Sequence, residues 1–311
     1  MELDRGLRDR IPPEYSLDGY EAVQNQLFRV YPSTFEYKQC KSCSYSVPKY
    51  GVPFSISLKP SINSIPNNTL IMICSQPTDT HLRNVFRNNT NSLLKAYNIT
   101  YFFTLTTDKP NEVSSLESEQ SQYHDLLVFN HTNSYHNLVL TVLFSFHYIQ
   151  SLHLSSRYIV KTDVDCALNL HRLMSILYSK RVLAMPFLYG GDCFINERGV
   201  FKTEPSSKHH VPPELVPSNT TVKSFARGGL YVITTNIITP MLSSVRHLPF
   251  ITHQEDVTVG RSMSLIGVQC KRLVRYFWLA RHGCHPLLCN KYAMVHPKNS
   301  SNETSLYYQF F

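Results

Sequence analysis

Residues 157–169, RYIVKTDVDCALN, constrain the fold more than any other stretch of the chain. Tyr158, Ile159 and Val160 form an apolar run of aromatic and β-branched residues, which predicts a strand. The run ends in two aspartates, Asp163 and Asp165, on either side of Val164. Beyond them Leu168, His171, Leu173, Met174, Leu177 and Tyr178 recur at spacings of three and four, the period of a helix. Strand, acidic loop and helix make an α/β unit. In open α/β sheets, ligands bind beyond the carboxyl ends of the strands. Two carboxylates at that point suit a hard divalent cation that bridges a diphosphate. An aspartate at a strand–helix junction is also a common N-cap, so the rest of the chain has to decide between the two.

The flanking segments extend the α/β pattern. Leu70-Ile71-Met72-Ile73-Cys74 reads as a buried strand ended by Ser75-Gln76-Pro77. A helix over about 80–97 carries Leu82, Val85, Phe86, Leu93 and Leu94 inward, with Arg83 and Arg87 on one face. Residues 99–105 and 125–129 read as further strands, with an acidic, serine-rich loop at 112–119 between them. A helix over about 134–150 follows, then the acidic-loop strand, an order that begins a parallel sheet. Residues 186–222 carry Gly190-Gly191, Pro205 and Pro212-Pro213 without a clear period and read as a loop-rich insert, a lid or substrate-binding region. Gly228-Gly229 reads as a turn leading into a strand, where glycine permits positive φ or a close approach of the backbone. Residues 235–245 and about 253–266 read as helices, and Glu255 and Asp256 suit the positive end of the second. From residue 284 onward short strands and a polar tail are expected. Residues 1–65, broken by Pro12-Pro13, Pro32, Pro48, Pro53 and Pro60, read as an irregular stem or wrapping segment ahead of one domain over 66–311.

Charge and cysteine content narrow the class. The net charge is +8, but the bases are scattered. The densest patch, Lys271-Arg272 through Arg281-His282, interleaves Tyr276, Phe277 and Trp278 and reads as an amphipathic segment rather than a nucleic-acid surface. Eight cysteines in so long a chain are not a disulfide-stapled miniprotein. Cys40 and Cys43 have redox or zinc spacing without a second such pair, which favours structural bridges. Sequons at Asn67, Asn88, Asn98, Asn130, Asn219, Asn299 and Asn302 lean toward a secretory lumen. No apolar run approaches the roughly 18 residues of a membrane span, and the charged first residues are not a signal peptide. A lumenal setting is therefore expected to require an anchor missing from this chain, or an unconventional N-terminus.

In order along the chain, the segments resemble the β1,3-galactosyl- and β1,3-N-acetylglucosaminyltransferases, with the fringe enzymes as more distant relatives. Arg83-Asn-Val-Phe-Arg87 is similar to the family's R-x-x-I-R helix, and Glu119 through Tyr123 and Asp125 to its E-x-x-x-Y-x-D-I stretch. Asn133-Ser134-Tyr135-His-Asn137-Leu138 resembles D-S-Y-x-N-L, and Lys161-Thr-Asp163-Val-Asp165 resembles K-x-D-D-D. Gly228-Gly229-Leu-Tyr231-Val resembles S-G-x-G-Y-V, Glu255-Asp256-Val-Thr-Val-Gly260 resembles E-D-V-Y-V-G, and Cys289 through His296 the terminal C…L-x-x-V-H segment. The chain departs from the pattern at Val164 in the acidic triplet, at Asn89-Thr90 after the arginines, at Thr141, and at Arg227 before the glycines.

The resemblance implies a GT-A glycosyltransferase fold, a Rossmann-like mixed central sheet flanked by helices. It also implies a UDP-sugar donor (UDP-galactose or UDP-GlcNAc), Mn²⁺, inversion at the anomeric carbon, and a glycan acceptor on a glycoprotein or glycolipid in the Golgi lumen. Asp163, Asp165 and His296 would hold the metal, and oxygens plus one imidazole suit Mn²⁺ better than Ca²⁺. Arg83, Arg87, Lys161, Asp163, Gly228 and Gly229 would serve the nucleotide sugar. Asp256 would be the general base. The departures, Val164 above all, leave open a relative without activity that binds a glycan or nucleotide sugar or partners another transferase.

Overall fold

The computed structural model describes residues 55–62, 69–152, 156–198, 200–201, 209–211, 220–248, 251–273, 279–281, 284–297 and 300–311. In chain order the first half gives β1 (Ile56–Leu58), β2 (Thr69–Cys74), α1 (Thr80–Ala96), β3 (Thr100–Thr106), α2 (Pro110–Tyr123), β4 (Leu126–Phe129) and α3 (Leu138–Ser151). Next come β5 (Tyr158–Asp163), β6 (Ala167–Leu168), α4 (Leu170–Leu177), α5 (Lys180–Leu183), β7 (Tyr189–Arg198) and β8 (Thr221–Thr234). The chain closes with α6 (Ile238–Val245), α7 (Glu255–Leu265), β9 (Lys271–Arg272), β10 (Leu279–Arg281), α8 (Pro286–Cys289), β11 (Met294–His296) and α9 (Ser300–Tyr308).

Eight strands make one mixed sheet in the order β1-β4-β3-β2-β5-β8-β7-β9. Strands β4, β3, β2 and β5 run parallel, while β8 pairs antiparallel with both β5 and β7. The two-residue alternation of a strand sends successive side chains to opposite faces. Ile71, Ile73, Phe103, Leu105 and Val160 accordingly join one core, with Leu82, Val85 and Phe86 of α1 and Leu170 and Leu173 of α4. Leu70, Met72, Phe102 and Ile159 join the other, with α3, α6 and α7. Helices thus cover both faces, the Rossmann-like arrangement expected.

The sheet order reverses between β2 and β5. The chain builds β2, β3 and β4 outward in one direction, then returns to lay β5 on the other side of β2. Neighbouring loops diverge at such a switch point and open a crevice at the carboxyl ends of the strands. Cys74, the last residue of β2, stands in register with Asp163, the last of β5, so the acidic loop lies at that crevice.

Several sequence expectations are revised. The 112–119 segment is helical, because Pro110 sits at the first turn of α2 and Leu116 and Glu119 turn inward. The 186–222 region is only partly loop. Tyr189–Arg198 forms β7, an antiparallel partner of β8, whose apolar positions are too interrupted to reveal a period. Gly228 and Gly229 lie within strand β8, and neither has a positive φ. The C-terminal tail is largely helical over Ser300–Tyr308, and Tyr308 packs into the core. The sheet also takes in Ile56–Leu58, ahead of the expected domain start at 66.

Disulfides join Cys193 to Cys270 and Cys284 to Cys289, while Cys74 and Cys166 are free and buried. No described helix is long and apolar enough to cross a membrane. Residues 1–54, with the Cys40/Cys43 pair, fall outside the described residues, as do Asn67, Asn219, Asn299 and the aromatic part of the 271–282 patch.

Candidate active site at the sheet crossover

A second sheet assembles the site. Strand β6 follows the acidic loop directly and pairs antiparallel with β11, Ala167 opposite Val295 and Leu168 opposite Met294. That register carries His296 back to the acidic loop. Its Nε2 lies 3.5 Å from Asp165 Oδ2, and both side chains are partly exposed. Helix α9 reinforces the loop, with Thr304 Oγ1 donating to the Asp165 carbonyl at 3.2 Å. Burial works against the charged form of Asp165, but the hydrogen bond and charge of His296 prevail and its pKa falls. The same bond, stronger than the effect of burial, raises that of His296. The Cys166 thiol lies within 4.8 Å of both ligand atoms, and burial holds its pKa well above the ordinary thiol value.

Asp163 is oriented by Lys161. The Lys161 side chain is almost fully buried, and its Nζ donates to Asp163 Oδ1 at 2.6 Å, to the Gly228 carbonyl at 2.7 Å and to Glu255 Oε1 at 2.8 Å. Burial disfavours the ammonium, yet the surrounding carboxylates outweigh it and raise its pKa. Lys161 is therefore a buried cation tying β5, β8 and α7 together. Lys161 is expected to serve the nucleotide sugar; in this structure its three donors are engaged by Asp163, Gly228 and Glu255.

The N-terminus of α7 supplies Glu255 and Asp256. Glu255 is buried and also accepts from the Tyr231 hydroxyl at 3.1 Å. Burial pushes its pKa up to about 7 against the pull of Lys161. Its carboxylate is thus held between Lys161 and Tyr231. Asp256 accepts from the backbone N–H of Gly228 at 3.0 Å and of Val257 at 2.8 Å, and burial raises its pKa too. A Cβ on Gly228 would stand 2.8 Å from Glu255 Oε1. A side chain there would have to push the Glu255 carboxylate aside. A Cβ on Gly260 would stand 2.3 Å from the Phe225 Cβ, so only glycine lets α7 lie this close to β8.

Arg83 and Arg87, expected to serve the nucleotide sugar, have their guanidinium groups paired inside the protein. Arg83 is fully buried and forks onto Glu119 at 2.7 and 2.6 Å. Arg87 forks onto Asp125 at 2.9 and 2.7 Å and reaches Glu119 at 2.7 Å. Their influence on the crevice is indirect, since Arg83 also holds Ser75 Oγ and the Gln76 carbonyl in the loop that leaves β2. Glu119 and Asp125 carried no such role in the sequence reading. The signal available was the pairing of two helix-face arginines with two acids downstream.

The departures from the family pattern are absorbed locally. Val164 is buried in the apolar core, so its side chain is turned away from the other two acidic-loop positions. Asn89 and Thr90 bond back to carbonyls one turn earlier in α1. Arg227 pairs with Asp192 at 2.9 Å and lies over the Phe194 ring.

With that geometry in place, comparison with known proteins decides the family. A family model described as Galactosyltransferase matches residues 80–274, the greater part of the chain and six of the eight strands of the main sheet. The chain belongs to the galactosyltransferase family. Over 230 residues it is 26% identical to the rat protein named beta-1,3-galactosyltransferase 4, covering 65% of this chain and 61% of that one. It is 23% identical over 237 residues to the Xenopus laevis protein named lactosylceramide 1,3-N-acetyl-beta-D-glucosaminyltransferase A, covering 73% of this chain and 62% of the relative. The chain thus spans about three fifths of the length of these relatives. Among solved structures, a glycosyltransferase involved in glycosylating the major capsid of PBCV-1 gives a TM-score of 0.45 at 11% identity, over 78% of this chain and 100% of that one.

Proposed function

We propose that this member of the galactosyltransferase family is a metal-dependent, inverting hexosyltransferase that moves galactose or GlcNAc from UDP to a glycan hydroxyl, forming a β1,3 linkage. One observation carries the reading: the partly buried carboxylate Asp256 is held by two backbone N–H groups beside the Asp163–Asp165–His296 loop at the sheet crossover. A base fixed by N–H donors to both oxygens cannot swing away, and its burial lifts its pKa toward the range useful for accepting a proton. The names of the relatives include both sugars, which leaves galactose and GlcNAc together in the proposal.

Carboxylates with an imidazole suit a divalent cation, and among the described residues the ligand atoms that stand within 4.8 Å of one another are those of Asp165, Cys166 and His296. Asp163, Asp165, Glu255 and Asp256 crowd around one lysine and one imidazole, and the charge of Asp165 helps burial to raise the pKa of Asp163. Asp163, Asp165 and His296 would hold Mn²⁺, which when bound supplies charge neutralisation for the departing diphosphate. Lys161 fixes the Asp163 carboxylate, and Gly228 lets β8 pass close against Glu255 and Asp256. Asp256 takes the proton from the acceptor hydroxyl as its oxygen bonds to the anomeric carbon. The bond from that carbon to the UDP oxygen breaks on the opposite face, and UDP leaves with the electron pair. The two disulfides, and the exposed sequon residues Asn98 and Asn130, support the lumenal Golgi setting expected of the family.

The test is UDP release by the purified protein across a panel of UDP-sugars and β-linked acceptors, with Mn²⁺ or EDTA. Metal-dependent turnover with one donor, lost in Asp256→Asn, is the expected result. Turnover that persists in Asp256→Asn removes the proposed base.

A further inference from the structure

A cluster of rings stands beside Asp256 that the proposed chemistry does not use. It is assembled from three separate parts of the chain: Tyr135 and His136 in the turn before α3, His209 from the segment between β7 and β8, and His253 just ahead of α7. The His253 ring is buried and lies 5.6 Å from that of Tyr135 and 5.0 Å from that of His136, centroid to centroid. The His209 ring stands 6.3 Å from Tyr135, with its Nδ1 3.3 Å from the phenol oxygen. Tyr135 nevertheless remains 44% exposed. An aromatic ring backed by other rings and still open to solvent is prepared to meet a ligand face.

The position identifies the ligand. Besides burial, the charges that push the Tyr135 phenol up to about 12 are Asp256 first, then Glu255, then Asp163. His253, whose ring lies 5.6 Å from that of Tyr135, comes just before Glu255 and Asp256 at the start of α7, so the Tyr135 ring stands near the base, where the attacking hydroxyl must be. A pyranose presents an apolar C–H face to a π surface and a rim of hydroxyls to polar groups. A tyrosine among three imidazoles matches both.

We propose that Tyr135, backed by His253 and flanked by His136 and His209, is the platform on which a β-linked pyranose of the acceptor stacks, presenting its hydroxyl to Asp256. The proposal rests on the transferase reading for its chemistry but makes a binding claim of its own. The competing occupant is the uracil of UDP, which would also stack on a ring, and the test separates the two.

The experiment uses the full chain with UDP and Mn²⁺. Ligand-observed NMR follows methyl β-galactopyranoside and methyl β-N-acetylglucosaminide, and calorimetry follows UDP. In Tyr135→Ala, binding of the preferred glycoside should weaken about tenfold while UDP affinity moves less than about twofold. Tyr135→Phe, which keeps the ring, should stay within about threefold of wild type. Should the alanine variant fail to fold, Tyr135→Leu removes the π face while keeping an apolar side chain. Loss of glycoside binding without any transfer activity in the wild type would keep the platform and overturn the proposed reaction. Unchanged glycoside affinity, a parallel loss of UDP affinity, or no glycoside binding by the wild type would overturn the platform.

Discussion

Two clusters of charge, one buried and one partly exposed, stand on either side of β2, and they are built on opposite principles. At α1, Arg83 and Arg87 meet Glu119 and Asp125, two cations for two anions, with forked hydrogen bonds on both guanidinium groups. At the sheet crossover, Asp163, Asp165, Glu255 and Asp256 share Lys161 and the imidazole of His296. The effect on acidity is opposite. Burial tends to raise the pKa of Glu119, but the arginines reverse it and lower the value, whereas those of Asp163, Glu255 and Asp256 rise. A matched cluster holds a loop in place. An unmatched one stores repulsion that a bound cation and a transferred proton can relieve.

The sharpest way to break this contrast is Asp256→Asn. Transfer should fall by at least about 100-fold, the usual range for a lost general base. Stability at pH 7 should stay level or rise by about 1 kcal/mol, since a disfavoured buried charge is removed. Turnover and thermal unfolding, read on one preparation, check both. A drop in stability as large as the one below would place Asp256 with the structural cluster instead.

The counterpart is Glu119→Gln, which leaves two guanidinium groups short of a buried anion and should lose about 3–5 kcal/mol at pH 7. Because the folded pKa of Glu119 lies below its unfolded value, its stabilisation is present above about pH 4.5 and fades as pH falls through the folded value. The gap between wild type and Glu119→Gln should therefore narrow in acid. Denaturant unfolding at pH 7 and below pH 4 measures it, and a gap constant with pH would mean that the carboxylate charge is not what stabilises.

Metal addition gives the third comparison. Mn²⁺ at 100 times its dissociation constant should stabilise the wild type by about 2.7 kcal/mol. The shift should vanish in Asp165→Asn and survive in Glu119→Gln, as thermal scans with and without EDTA would reveal. The smallest effect concerns Val164. Val164→Ala should lose about 2 kcal/mol of core packing and leave the Mn²⁺ shift intact. An altered metal response there would mean that the middle position of the acidic triplet contributes to the site after all.

Much of this was legible in the chain, for reasons that differ by segment. Strands β2 and β5 announce themselves because they are buried on both faces and read as continuous apolar runs. Helix α2 was missed because its buried face is little more than Leu116 and Glu119, too sparse to give a period. Strand β7 was missed because its exposed end and its glycines interrupt any alternation. The platform around Tyr135 left no local signal, since its rings come from segments far apart in sequence.

The sequence by itself determined which residues carry charge and which patterns of strand and helix can form. Periodicity and motif spacing are local properties, and they placed two aspartates at the end of a strand and two more acids at the start of a helix. Tertiary structure decided which charges meet. Arg83 and Arg87 share a helix face whether they bind phosphate or Glu119, and only the packing of α2 against α1 settles that they are paired inside. His296 reaches Asp165 only because β11 pairs with β6, which lies more than a hundred residues earlier in the chain. The pKa of a carboxylate, and with it the division between structural and chemical acids, depends on burial and on neighbours brought from elsewhere, and the fold alone specifies those.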